Sequence, residues 1–246
     1  MKVRKKKLCL AALMKLKQKN SLFGIVALWV IVWVSTLLFA GKVLPQNLPP
    51  PIYDGFNYRP IRDLDLNFIA IEAFFDPLCP DARDSWPPLK QAAQYYRSRV
   101  NIRVHLLPLP YHDYAFAASR ALHIVNALNS SFTFPALEQF FKFQENFYNH
   151  QTKDMSRVSV ISKMQNFVAG IVGNDLYPEV VAGFNDVNTE LKTRVSFKYC
   201  ASRGVSGTPS FFVNGFALQE ASTPVDFNGW RKVIGPLIGE GAAYLR

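Results

Sequence analysis

The sequence predicts an α/β domain carried behind an N-terminal apolar segment. Three observations predict it: a strand–helix–strand pattern over residues 67–107, helical patterns over about 113–203, and a strand–turn–strand–helix pattern over 208–238. Strands joined through a helical crossover form a parallel pair with a right-handed connection, and a late hairpin adds antiparallel strands.

Charge divides the chain before any motif does. The 246 residues carry a net charge of +10, yet residues 1–42 hold nine of the 28 basic residues and no acidic one. The remaining chain has 19 basic against 18 acidic residues, so its body offers no nucleic-acid surface. Ser21 to Ala40 is twenty residues without a charge, the length needed to cross a hydrocarbon core of ~30 Å. Lysines on its N-terminal side predict a basic cytosolic tail over 1–20, a membrane span over 21–40 and a body that is lumenal or extracellular. Two readings stay open: a single-pass signal-anchor, and a cleaved signal peptide that releases a secreted body. The apolar stretch exceeds the 7–15 residues of a signal h-region, and Leu38 is bulky for the −3 position of a cut after Ala40. Residues 41–60 contain Pro45, Pro49, Pro50, Pro51 and Pro60 and read as a semi-extended linker, with the folded domain expected over 61–240.

Within that domain the apolar run Phe68 to Phe75 reads as a buried strand that stops at Asp76-Pro77. A helix follows, with Pro80 at its first position and Asp81 and Asp84 near the positive end of its dipole. Cys79 therefore falls at a helix N-terminus, where unpaired N–H groups favour a thiolate. Pro87-Pro88 predicts a kink or restart in that helix, because proline removes a donor and clashes with the preceding turn. Asn101 to Leu107 reads as the next strand. Asp113 to Leu128, Phe134 to Tyr148, Ser156 to Val172, Tyr177 to Phe184 and Asp186 to Ser202 read as helices. The aromatics Phe140, Phe141, Phe143 and Phe147 are expected in the core, and His123 at the edge of an apolar helix face. Asp113 is expected as an N-cap. Thr208 to Val213 reads as a strand, Asn214-Gly215 as a two-residue hairpin turn, Phe216 to Leu218 as the return, and Phe227 to Ile238 as a closing helix.

The strand–Cys–helix turn, paired with Gly204-Val-Ser-Gly-Thr-Pro-Ser-Phe-Phe-Val-Asn-Gly215, resembles the thioredoxin superfamily over residues 61–240. The helical insertion over about 113–203 resembles the DsbA branch. The stretches Asp76-Pro-Leu-Cys-Pro-Asp-Ala-Arg-Asp-Ser-Trp-Pro87 and Pro108-Leu-Pro-Tyr-His-Asp113 are similar to plant DsbA-like proteins with a single active-site cysteine. The resemblance implies a thioredoxin-like fold, Cys79 as nucleophile, and Pro209 as a cis-proline whose neighbour Thr208 presents its backbone to a peptide or to glutathione. The second redox cysteine of a Cys-x-x-Cys motif is absent, because that position is Ala82. A dithiol enzyme frees itself when its second thiol attacks the first sulfur, and alanine does not. Asp76, Asp81 and Asp84 set negative charge against the helix dipole, which Arg83 partly offsets.

Of three cysteines, Cys9 lies in the tail and Cys200 shares the domain with Cys79. Cys200 is a candidate resolving thiol, with a packed helix residue as the alternative. No His/Cys group has zinc spacing and no metal is expected. Asn129-Ser130-Ser131 is a glycosylation sequon, usable by a lumenal body. Three functions fit. The first is monothiol thiol–disulfide exchange through Cys79 on protein thiols and disulfides, with glutathione as a candidate co-substrate. The second is a non-catalytic peptide- or client-binding module built on the Thr208-Pro209 loop. The third is a glutathione-dependent transferase, disfavoured because no hydroxyl stands at position 79.

Overall fold

The computed structural model describes residues 53–63, 65–219 and 226–239. The membrane span expected over 21–40, the tail over 1–20, Cys9 and most of the proline-rich linker lie outside the described residues. Among the described residues no helix is long and apolar enough to cross a membrane.

Five strands form one mixed sheet in the order β1-β3-β2-β4-β5. They are β1 (Phe56–Asn57), β2 (Ile69–Phe75), β3 (Val100–Leu106), β4 (Ser210–Val213) and β5 (Phe216–Ala217). The β2–β3 pair is parallel and the other three pairings are antiparallel. The crossover between β2 and β3 is α1 (Pro80–Tyr96). The insertion comprises α2 (Ala115–Leu128), α3 (Thr133–Phe143), the short α4 (Asn149–Thr152), α5 (Arg157–Val172), α6 (Tyr177–Asn185) and α7 (Val187–Ser202). Helix α8 (Phe227–Leu237) closes the described chain.

Central β2 is apolar on both faces because both faces are covered. Alternate residues point to opposite sides. Phe75 meets the rings of Trp86, Phe141 and Phe211 on one side, while Phe74 meets His105, Tyr199 and Phe212 on the other. The hairpin turn is set by Asn214 (φ 49°) and Gly215 (φ 84°), the left-handed pair that an Asn-Gly turn requires. In the insertion Phe140 and Phe147 are fully packed around Phe167, whereas Phe143, expected in the core, is 38 % exposed.

Three further expectations are corrected. Folded structure starts before residue 61, since Asp54 and Phe56 are buried and β1 pairs antiparallel with β3. Helix α1 is one continuous helix through Pro87 and Pro88 and does not restart there. Its packed face, Ala82, Trp86, Leu89 and Ala93, stays continuous. The carbonyls that two prolines leave without intrahelical donors belong to Arg83 and Asp84 on the more exposed side, where water can pair them. Asp113 does not cap α2. Tyr114 occupies the N-cap position, and the Asp113 amide donates to Asn149 Oδ1 at 3.0 Å instead.

Candidate active site

The site forms where β2 ends and α1 begins. The Asp76 carbonyl accepts the Cys79 amide at 3.0 Å, which closes the turn and puts Cys79 at the N-cap with extended φ and ψ (−85°, 122°). Pro80 fills N1, where a missing N–H costs nothing. Cys79 is only 4 % exposed, and its sulfur donates to the Thr208 carbonyl at 3.3 Å. Thr208 precedes Pro209 across a cis peptide bond, as the resemblance implied. The Thr208 Oγ1 is buried beside it without a hydrogen-bond partner. Thus Cys79 meets Thr208, 129 residues away in sequence, and its neighbour Pro209 at one place.

Ala82 lies three residues along α1 and is fully buried, so the position of the missing thiol faces the core. Cys200 is also fully buried near the end of α7, and its sulfur points to the Leu106 carbonyl at 3.6 Å. Burial first, and then the charge of Asp54, push the Cys200 thiol well above the ordinary thiol range. Both cysteines are free thiols.

Asp76 supports the turn from below. It is fully buried, its Oδ1 accepts the Leu78 amide at 2.8 Å, and its Oδ2 accepts the Leu109 amide at 3.0 Å. The Nδ1 of His112 lies 2.8 Å from the same Oδ2. Beyond His112 opens a cavity of about 230 Å³ lined by Leu78, Pro80, Tyr111, His112, Phe147, Tyr148, Asn149 and His150. Burial first, then the electrostatic influence of Cys79, Asp76 and Asp81, raises the Tyr111 hydroxyl above its ordinary range. Asp84 sits outside, paired with Arg83 at 2.7 Å.

Sequence reasoning did not find the His112–Asp76 pair. The signal was present in Pro-Tyr-His-Asp, but the two residues are 36 apart and belong to different loops. It also did not find a second polar cluster on the Phe74 side of the sheet. There His105 Nδ1 lies 2.8 Å from Asp54 Oδ2, and Glu72 receives Tyr53 (2.8 Å), Tyr199 (2.5 Å) and Arg203 (3.2 Å). Burial alone would raise the Glu72 carboxyl, but His105, Tyr199 and Tyr53 outweigh it and hold the group at about 2.

No family model matches the chain, and no curated protein matches it either. Solved structures do. A candidate protein-disulfide isomerase from Pseudomonas syringae superposes with a TM-score of 0.60 at 18 % identity, covering 74 % of this chain and 98 % of that one. Oxidoreductase DsbA from Xylella fastidiosa gives 0.52 at 18 % identity, over 77 % and 92 %. MdbA, a thiol-disulfide oxidoreductase from Actinomyces oris, gives 0.55 at 13 % identity, over 69 % and 81 %. The fold is thioredoxin-like, of the DsbA type. At these identities the likeness fixes the architecture alone, in which helices α2–α7 of this chain lie between β3 and β4.

Proposed function

We propose that this DsbA-type protein is a monothiol thiol–disulfide exchange protein that acts through Cys79. The observation that carries the reading is the Cys79 sulfur at a helix N-terminus, 3.3 Å from the carbonyl of Thr208. A thiol placed there has backbone N–H groups to support a thiolate, and an extended client segment can pair with the Thr208 backbone next to it. Cys79 attacks one sulfur of a client disulfide, forms a mixed disulfide and releases the other client sulfur as a thiolate. With Ala82 in the second position, an outside thiol completes the cycle.

The substrates in this reading are protein thiols and disulfides, and the body works on the oxidising side of a membrane. The support for that placement is the uncharged stretch 21–40 with lysines before it. Cys200 has no part in the cycle, because its sulfur is buried against β3.

The test is capture. Full-length protein incubated with a disulfide-bearing peptide forms a mixed disulfide, mapped to Cys79 by mass spectrometry, and Cys79→Ser abolishes it. Capture that survives the substitution sinks the reading. The 4 % exposure of Cys79 favours one second reading, a client-binding module without turnover. That reading expects peptide binding that is equal in the wild type and in Cys79→Ser.

A further inference from the structure

The imidazole of His112 has no part in the attack by Cys79, yet it is firmly held. Both oxygens of buried Asp76 already accept backbone amides, from Leu78 and Leu109. An oxygen acting as acceptor requires the proton on Nδ1 of His112, 2.8 Å away, which leaves the lone pair of the neutral ring on Nε2. Among the described residues Nε2 has no hydrogen-bond partner. The side chain is 20 % exposed and forms part of the cavity wall. Leu78 and Pro80, the two neighbours of Cys79, form another part of that wall. A carboxylate-oriented imidazole opening on a cavity beside a thiol is an acid–base arrangement.

We propose that His112, oriented by Asp76, is the general base for a small uncharged or cationic thiol that enters this cavity and releases Cys79 from its mixed disulfide. The proposal rests on exchange through Cys79 and supplies the second half of that reaction. The incoming R–SH gives its proton to His112 Nε2 as its sulfur attacks the client sulfur of Cys79–S–S–client. A client–S–S–R bond forms, the bond to Cys79 breaks, and the electron pair leaves on Cys79 Sγ. The proton then passes from His112 to that sulfur. The thiol is oxidised to the disulfide level, Cys79 is reduced to the thiol, and nothing else is consumed.

Size and charge define the thiol. About 230 Å³ lies below the ~300–1,000 Å³ of pockets for drug-sized ligands, so the cavity suits a molecule of few heavy atoms. Among the described residues no Lys or Arg lines it, and Arg83 is engaged by Asp84. The groups around the imidazole are Asp76 from the β2–α1 turn, Tyr111 beside it, and Tyr148 and His150 at α4, and Asp81 from the start of α1 acts electrostatically on Tyr111. The carboxylates make the field negative and disfavour an anionic thiol such as glutathione.

The full-length chain is loaded chemically at Cys79 with a methanethiosulfonate reagent, and the mixed disulfide is reduced in single turnovers by cysteamine, 2-mercaptoethanol or glutathione. Each rate is divided by the rate of the same thiol on a small free disulfide in the same buffer. Base assistance by a neutral imidazole makes this acceleration fall about tenfold per pH unit once the imidazole is fully deprotonated, because the reference rate keeps rising with thiolate while the rate through imidazole and undissociated thiol no longer rises. His112→Gln keeps a donor for Asp76, and it is expected to flatten the profile and lower the acceleration by about tenfold or more. After normalisation cysteamine should exceed glutathione by about tenfold. An acceleration independent of pH in the wild type, or an unchanged profile in folded His112→Gln, overturns the role of His112. Glutathione matching cysteamine, or a cysteine peptide outrunning every small thiol, overturns the thiol class. Chemical loading makes these results independent of whether Cys79 attacks disulfides unaided, which the capture test decides separately.

Discussion

The thiol of Cys79 donates to the carbonyl of Thr208 at 3.3 Å, joining the start of α1 to the loop that leads into β4. Cys200, by contrast, is fully buried against the end of β3. The two thiols are therefore expected to separate cleanly in alkylation. In native protein iodoacetamide modifies Cys79, while Cys200 reacts only after denaturant is added, as read by peptide mass mapping. Rapid native labelling of Cys200 contradicts the packing of α7 on the sheet. Cys79→Ser keeps a donor for Thr208, so its effect on stability should stay within about 1 kcal/mol, which makes it a fair control for capture.

Glu72 carries an acid-sensitive part of the stability. Its carboxyl is held at about 2 in the folded chain against 4.5 when free, because His105, Tyr199 and Tyr53 outweigh the burial that would raise it. A depressed carboxyl contributes fully above pH 4.5, and the contribution is lost as pH falls from there towards 2. The magnitude is on the order of 3 kcal/mol at most. Glu72→Gln should lower urea stability at pH 7 by about 2–3 kcal/mol, and the gap to wild type should narrow as pH falls to 3. A gap that is constant with pH would place the loss in packing instead.

How much of this was legible depended on sequence distance. Strand β2, the start of α1 and the Asn214-Gly215 turn were readable because their causes are local: an apolar run, a proline at N1, and two residues suited to positive φ. Strand β1 was not readable, because Phe56-Asn57 is two residues inside a proline-rich stretch and is a strand only through pairing with β3. Glu72 looks like an interruption in an apolar run, and its partners Tyr199 and Arg203 stand 127 and 131 residues away. The thiol and its proline loop came from motif resemblance. The His112–Asp76 pair came only from the structure, because neither residue's local pattern names the other.

His123 is expected to give a second pH dependence in a different window. Burial lowers its imidazole to about 4 from 6.5, with Ser196 Oγ 3.0 Å from its Nε2. The unfolded chain therefore takes up the proton first, so stability is full above pH 6.5 and declines as pH falls towards 4. The loss amounts to about 3 kcal/mol at most. His123→Gln should remove this limb of the urea-stability profile while leaving the limb that belongs to Glu72.

The insertion is tied to α1 through Glu138. Its Oε1 accepts both the Trp86 indole at 2.9 Å and the Lys90 ammonium at 2.5 Å. Trp86 is 3 % exposed, so losing the acceptor strands a buried donor. Glu138→Ala should cost about 1–3 kcal/mol, while Lys90→Ala, which removes only a partly exposed partner, should cost under about 1 kcal/mol. Equal losses would show that the ion pair, and not the indole bond, holds α3 to α1.

Asn129 offers a test of which side of the membrane the body occupies. It lies exposed just past α2, and its Oδ1 accepts both the backbone amide of Ser131 at 3.0 Å and the Ser131 hydroxyl at 2.8 Å. This local turn leaves the amide nitrogen of Asn129 available on the surface and folds the sequon hydroxyl against the side chain that would carry the sugar. The proposed orientation puts it in the lumen. Translation into secretory membranes should then yield one endoglycosidase-sensitive species, lost in both Asn129→Gln and Ser131→Ala. A sequon left unmodified in membranes that glycosylate a control acceptor moved into the 226–239 segment indicts the turn at Asn129. Absence of sugar at both places reverses the assigned orientation.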